Sequence, residues 1–125
     1  MANAHRILIV DDDADIRDTL AEFLEDEGYE VERAENGRDA LDRLKQAPAP
    51  CMILLDLSMP VMDGFAFRAE QQRDPALAAI PVVVITAGRQ LREVPTDLSV
   101  VTKPPNLDQL LSAVRRHCVP SGSAF

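Results

Sequence analysis

The chain has 125 residues, 46% of them hydrophobic, and a formal net charge of −8. That length and apolar content fit one compact domain with its own core. The acidic balance argues against nucleic acid or an acidic membrane surface as a partner, and no run of about 18 apolar residues offers a membrane-spanning helix.

Residues 1–6 run straight into an apolar segment and lack a signal-peptide pattern, so a cytoplasmic location is expected. The first strand is read over 6–10. Ile7-Leu8-Ile9-Val10 is uninterrupted, as a strand covered on both faces requires. It ends in Asp11-Asp12-Asp13. In open α/β sheets the carboxyl ends of strands border the ligand crevice. Nucleotide-binding folds place glycines there, so that backbone N–H groups can hold a phosphate. Three acids instead repel free phosphate and attract a hard divalent cation.

A helix is predicted over 14–27, with Ile16, Leu20, Phe23 and Leu24 on one stripe. Asp13 suits its N-cap or first turn, and Gly28 suits the left-handed residue after its end. Residues 30–34 alternate in polarity, which predicts an edge strand. Asn36 caps a second helix over 37–46, whose Ala40, Leu41 and Leu44 face inward. The third strand, 51–55, is apolar and ends in Asp56. If it lies beside the first, Asp56 stands next to Asp11 and Asp12. Two carboxylates ~4 Å apart repel by about 4 kcal/mol at an effective dielectric of about 20. Mg²⁺, held by carboxylates, waters and phosphate oxygens, relieves that repulsion.

Asp63 caps a third helix over 64–73. The fourth strand, 81–86, carries Thr86 at its end, and the fifth, 99–102, is followed by Lys103. A last helix over 107–117 has Leu107, Leu110, Leu111 and Val114 at helical spacing. Between the last two strands, 88–98 is weakly patterned: Gly88 and Pro95 flank Arg89–Val94, room for one or two helical turns. Residues 119–125 are small and polar and read as a frayed tail, which leaves 1–118 as the domain. The alternation of strand and helix demands right-handed crossovers and a parallel sheet.

Cys51 and Cys118 have no metal-ligand spacing and read as a buried small hydrophobe and an incidental thiol; His5 and His117 read as surface histidines.

Four strand ends thus deliver acids, a hydroxyl and an ammonium to one edge of one sheet. Asp11-Asp12 after Val10, Asp56 with Met59-Pro60 and Asp63-Gly64 behind it, Thr86-Ala87 and Lys103-Pro104 together resemble the receiver domain of two-component response regulators, of the chemotaxis-regulator type. The match covers residues 5–118. It implies a flavodoxin-like, doubly wound, five-stranded parallel sheet of order 2-1-3-4-5. It also implies that Asp56 accepts a phosphoryl group from a histidine of a sensor kinase or histidine phosphotransfer protein. By the same resemblance, Asp12, Asp56 and the Ser58 carbonyl ligate Mg²⁺, with Asp11 reaching the metal through water. Lys103 pairs with Asp56 and then with the phosphoryl oxygens, and the Thr86 hydroxyl turns toward them. Such a chain is a signalling phosphoacceptor that catalyses only its own phosphorylation and dephosphorylation.

The chain departs from the family in three places. Val100 stands where an aromatic switch residue is usual, Pro105 stands where Phe is usual, and the short Thr86–Lys103 spacing predicts a shortened or lost fourth helix. A pseudo-receiver scaffold that has lost phosphorylation is the alternative, and retention of Asp11, Asp12, Asp56, Thr86 and Lys103 argues against it. A dehalogenase-like phosphatase needs a second acid two positions after the nucleophile, where Ser58 stands. A flavin carrier needs a Ser/Thr/Gly-rich loop after the first strand, and the acids stand there instead.

Overall fold

A computed structural model describes residues 3–46, 48–57, 62–87, 94, 98–103 and 106–119. Five strands, β1 (Asn3–Val10), β2 (Glu30–Ala34), β3 (Pro50–Asp56), β4 (Val82–Ala87) and β5 (Ser99–Lys103), form one parallel sheet of order β2-β1-β3-β4-β5. The helices are α1 (Ala14–Asp26), α2 (Gly37–Gln46), α3 (Gly64–Arg73), α4 (Pro75–Ala78) and α5 (Leu107–Arg115).

The continuous apolar strands are buried on both sides, as their patterning demands. Ile7 and Ile9 of β1, Met52 and Leu54 of β3, and Val83 and Ile85 of β4 pack with α1 and α5 on one face. Leu8, Val10, Ile53, Leu55, Val82 and Val84 pack with α2, α3 and α4 on the other. β2, at the edge, is only partly buried.

The helix boundaries follow the capping residues. Asp13 accepts from the N–H groups of Asp15 and Ile16, Asn36 from Asp39, Asp63 from Ala66 and Asn106 from Gln109. Gly28 ends α1 with φ 97°, a conformation that L side chains resist. The one-turn helix α4 was not expected from periodicity, because four residues are too few to show a period. Its signal is local: Asp74 caps it and Pro75 occupies the first turn. Gln71, fully buried, donates to the carbonyls of Leu77 and Ile80 and so fixes this turn against α3.

Two expectations need correction. Cys51 and Cys118 are not independent thiols; a disulfide joins them, with Cα atoms 5.5 Å apart. The pairing is a tertiary effect: α5 runs back along the sheet and brings Cys118 to the start of β3 across 67 positions of sequence. His5 stays partly exposed, and its Nδ1 lies 3.0 Å from the Val119 carbonyl oxygen. Leu107 shares the apolar spacing that predicts an inward-facing stripe, yet it is 39% exposed, because it begins α5 outside the buried stripe. Residues 89–93 of the expected shortened fourth helix, the Ser58 ligand, Pro105 and the tail beyond 119 lie outside the described residues. Among the described residues no helix is long and apolar enough to cross a membrane.

Candidate functional site

The pairing register sets the site. Val10 of β1 pairs with Leu55 of β3, so the residues that follow each, Asp11 and Asp56, emerge side by side. Asp56 pairs with Ile85 of β4, one position before Thr86, and Ala87 pairs with Lys103 of β5. The ends of four strands therefore converge at the carboxyl edge of the sheet, where α/β proteins place their ligands.

The acids form one cluster. Carboxylate oxygens of Asp11, Asp12 and Asp56 all lie within 4.8 Å of one another. Asp11 is fully buried and Asp56 is 3% exposed, whereas Asp12 is open to solvent. The Asp11 backbone N–H donates to the Ala34 carbonyl at 3.1 Å, and its Oδ1 accepts from the Asp13 N–H at 3.0 Å. Arg17, from α1, donates to the Asp11 carbonyl oxygen at 2.9 Å. These bonds hold the acidic turn in place, and the Arg17 contact had no signal in the strand-end pattern.

Lys103 Nζ reaches both buried acids, at 3.2 Å from Asp11 Oδ2 and 3.4 Å from Asp56 Oδ2. Burial lowers the ammonium's pKa, but the neighbouring Asp11 and Asp56 carboxylates outweigh it and hold Lys103 above its ordinary value. Asp11 Oδ2 is nonetheless buried without a well-formed hydrogen bond among the described residues. Three carboxylates face one ammonium. The excess negative charge and the all-oxygen donor set fit a hard divalent cation.

Glycine permits the close packing beneath the acids. Gly64 N–H donates to the Leu57 carbonyl at 3.0 Å. A Cβ on Gly64 would stand 2.7 Å from Leu57 Cα and 2.8 Å from the Asp56 carbonyl oxygen. So α3 starts directly against the backbone that carries Asp56. Thr86 is fully buried at the end of β4, between the levels of Asp56 and Lys103. Val100 pairs with Val84 and is partly buried against the α2–α3 core.

A wider cleft of about 560 Å³ lies beside α1 and α2, lined by Arg17, Arg33, Arg38 and Arg43 among acids such as Asp39 and Asp42. Its lining mixes both signs of charge: Arg43 pairs with Asp39 at 3.0 Å within it, and Arg33 pairs with Glu25 of α1 at 3.2 Å. The unbalanced charge sits at the strand ends, and the site is placed there.

The structure brings Asp11, Asp12, Asp56, Thr86 and Lys103, all singled out from sequence, to this one edge. Residues 7–115 match the response regulator receiver domain. The chain is 33% identical over 121 residues to Response regulator Rre1 of Synechocystis sp., covering 92% of this chain and 52% of that protein. It is 33% identical over 114 residues to the response regulator receiver protein CpdR of Brucella abortus, covering 89% of this chain and 94% of that one. Its structure is similar to that of the Vibrio cholerae chemotaxis protein CheY4, with a TM-score of 0.80, 31% identity and coverage of 92% of this chain and 99% of that one. The chain thus spans about half the length of Rre1 and nearly all of CpdR.

Proposed function

The chain belongs to the response regulator receiver domain family, and on that premise we propose that it is a phospho-accepting signalling module whose acceptor is Asp56. The observation that carries this reading is the Asp56 carboxylate, 3% exposed, with an ammonium at 3.4 Å and two further acids in its cluster. A carboxylate attacks an anionic phosphoryl group only when the charge of both is offset.

The donor is a phosphohistidine of a sensor kinase or histidine phosphotransfer protein. An Asp56 side-chain oxygen forms the new P–O bond. The P–N bond to the donor imidazole breaks, and its electron pair leaves with that ring. Lys103 stabilises the charge on the transferring oxygens, since its donors already point at Asp56. Thr86 sits one position past the Asp56 level on the neighbouring strand, which supports a role for its hydroxyl at the acyl phosphate. Asp12 and Asp56 would hold Mg²⁺ through their side chains, with the Ser58 carbonyl as a further ligand and Asp11 reaching it through water. When bound, Mg²⁺ supplies neutralisation of the phosphoryl charge. Water later hydrolyses the acyl phosphate and resets the module. The phosphorylated state acts through an output partner or further domain.

Intact mass after incubation with acetyl phosphate and Mg²⁺ tests this reading, with Asp56→Asn as the control.

A further inference from the structure

The disulfide lies at the other end of the fold from the acids. Cys51 is the second residue of β3 and Asp56 the last, so oxidation of the cysteines leaves the acidic site uncovered. We propose that Cys51 and Cys118 form a reversible thiol–disulfide exchange site that reacts with low-molecular-weight disulfides and thiols of the glutathione type.

Three observations support exchange over a permanent staple. First, Cys51 lines an open cleft of about 320 Å³ at the sheet end, together with Pro50, Ala76, Ile80, Pro81 and His117. A small disulfide that enters this cleft meets Cys51, itself 7% exposed, with His117 lining the same cleft. Cys118 packs beneath, at 4% exposure, where it meets Cys51 rather than solvent. Second, the reduced state has a place for its proton. Cys51 Sγ lies 3.0 Å from the Arg6 carbonyl oxygen. A disulfide sulfur has nothing to donate there, whereas a thiol finds an acceptor. Third, both cysteines belong to a core cluster that also holds Leu20, Leu24, Met52 and Leu110. That packing does not need the bond, since a thiol behaves as a small hydrophobe.

The exchange balances without another reagent. The Cys51 thiolate attacks one sulfur of the small disulfide, forming a mixed disulfide and releasing one small thiolate. The Cys118 thiolate then attacks Cys51 Sγ, closing the protein bond and releasing the second. The two protons lost by the cysteines end on the two departing thiols. Excess small thiol runs the same steps backward.

Closing the bond ties the end of α5 to the start of β3, beside the contact of His5 with Val119. It also closes a long loop, which constrains the unfolded chain. The melting temperature is therefore expected to fall on the order of 10 °C on reduction.

The test is equilibration of the full native chain in glutathione buffers running from mostly reduced to mostly oxidised. Free thiols are trapped by alkylation and counted by intact mass, and each sample is melted. The expected result is a two-state passage from two thiols to one intramolecular disulfide within that series, with the melting temperature following it. Cys118→Ser should form no intramolecular disulfide at any buffer ratio and should instead carry one glutathione on Cys51 in excess oxidised glutathione. A bond that survives excess reduced glutathione in the native protein would overturn the proposal. So would two thiols, or a stable glutathione adduct, in excess oxidised glutathione. The thiol count on wild type decides the matter even if the variant folds poorly.

Discussion

Lys103 and Asp56 stand on strands that do not pair, yet their side chains meet at 3.4 Å across the end of β4. The same ammonium holds Asp11 at 3.2 Å. Removing it should therefore hurt twice. Lys103→Ala leaves buried acids without their cation, a loss of about 3 kcal/mol at the low end for a broken buried pair, because the lysine is itself partly exposed. It should also slow phosphorylation at Asp56. Denaturant titration and the rate of mass gain with acetyl phosphate measure the two effects. An unchanged stability would show that the pair contributes nothing to the fold.

Mg²⁺ should stabilise the apo protein by relieving repulsion among Asp11, Asp12 and Asp56. A ligand at about 100 times its dissociation constant adds about 2.7 kcal/mol. Thermal melts should rise with added Mg²⁺, and Asp12→Ala should remove most of the rise. Because Asp12 is exposed, that variant should fold normally without metal. A melting temperature indifferent to Mg²⁺ would count against the metal reading.

Gly64→Ala should be costly although Gly64 sits in a helix, where alanine is ordinarily favoured. Its Cβ would stand 2.7 Å from backbone at Leu57, and overpacking of this kind costs about 1–3 kcal/mol. The displaced backbone carries Asp56, so phosphorylation should fall as well. Urea midpoints and acetyl phosphate kinetics together check this; a stabilised, fully active variant would contradict the packing argument.

Stability should decline at alkaline pH. Lys103 is held above its ordinary value. Tyr29 is raised too, by burial first and by Glu27, with Arg115 opposing. In both cases the folded state holds the proton more tightly than the unfolded chain. Their contribution is complete below about pH 10, the ordinary range of both groups, and is lost as pH rises through the raised folded values. Tyr29→Phe should remove part of that decline. At neutral pH it should stabilise by about 1 kcal/mol, because the Tyr29 hydroxyl is buried without a partner among the described residues. Urea titrations at neutral and alkaline pH read both effects, and a Phe variant that is less stable at neutral pH would show a hidden partner for the hydroxyl.

The sheet and the site were legible because both depend on local pattern. Ile7–Val10 and Ile53–Leu55 announce buried strands by composition, and Asp11, Asp56, Thr86 and Lys103 follow their strands directly. Register then does the rest, since parallel strands of similar length bring their ends together. What escaped the sequence depends on contacts between distant segments. Cys118 meets Cys51 only because α5 packs along one face of the sheet. Arg17 reaches the Asp11 carbonyl because of its place on the first turns of α1. The need for glycine at position 64 comes from a backbone approach that no spacing reveals. Asp74-Pro75 did carry a start signal for α4, but one helical turn has no periodicity to support it.

The central claim is that Asp56 is the phosphoacceptor. Wild type and Asp56→Asn should be incubated with acetyl phosphate and Mg²⁺ and weighed intact. The wild type should gain one phosphoryl group, and the Asn variant, which keeps the side-chain shape but lacks the nucleophilic carboxylate, should gain none. Equal gain in both proteins, or no gain in the wild type at saturating Mg²⁺, would contradict the account.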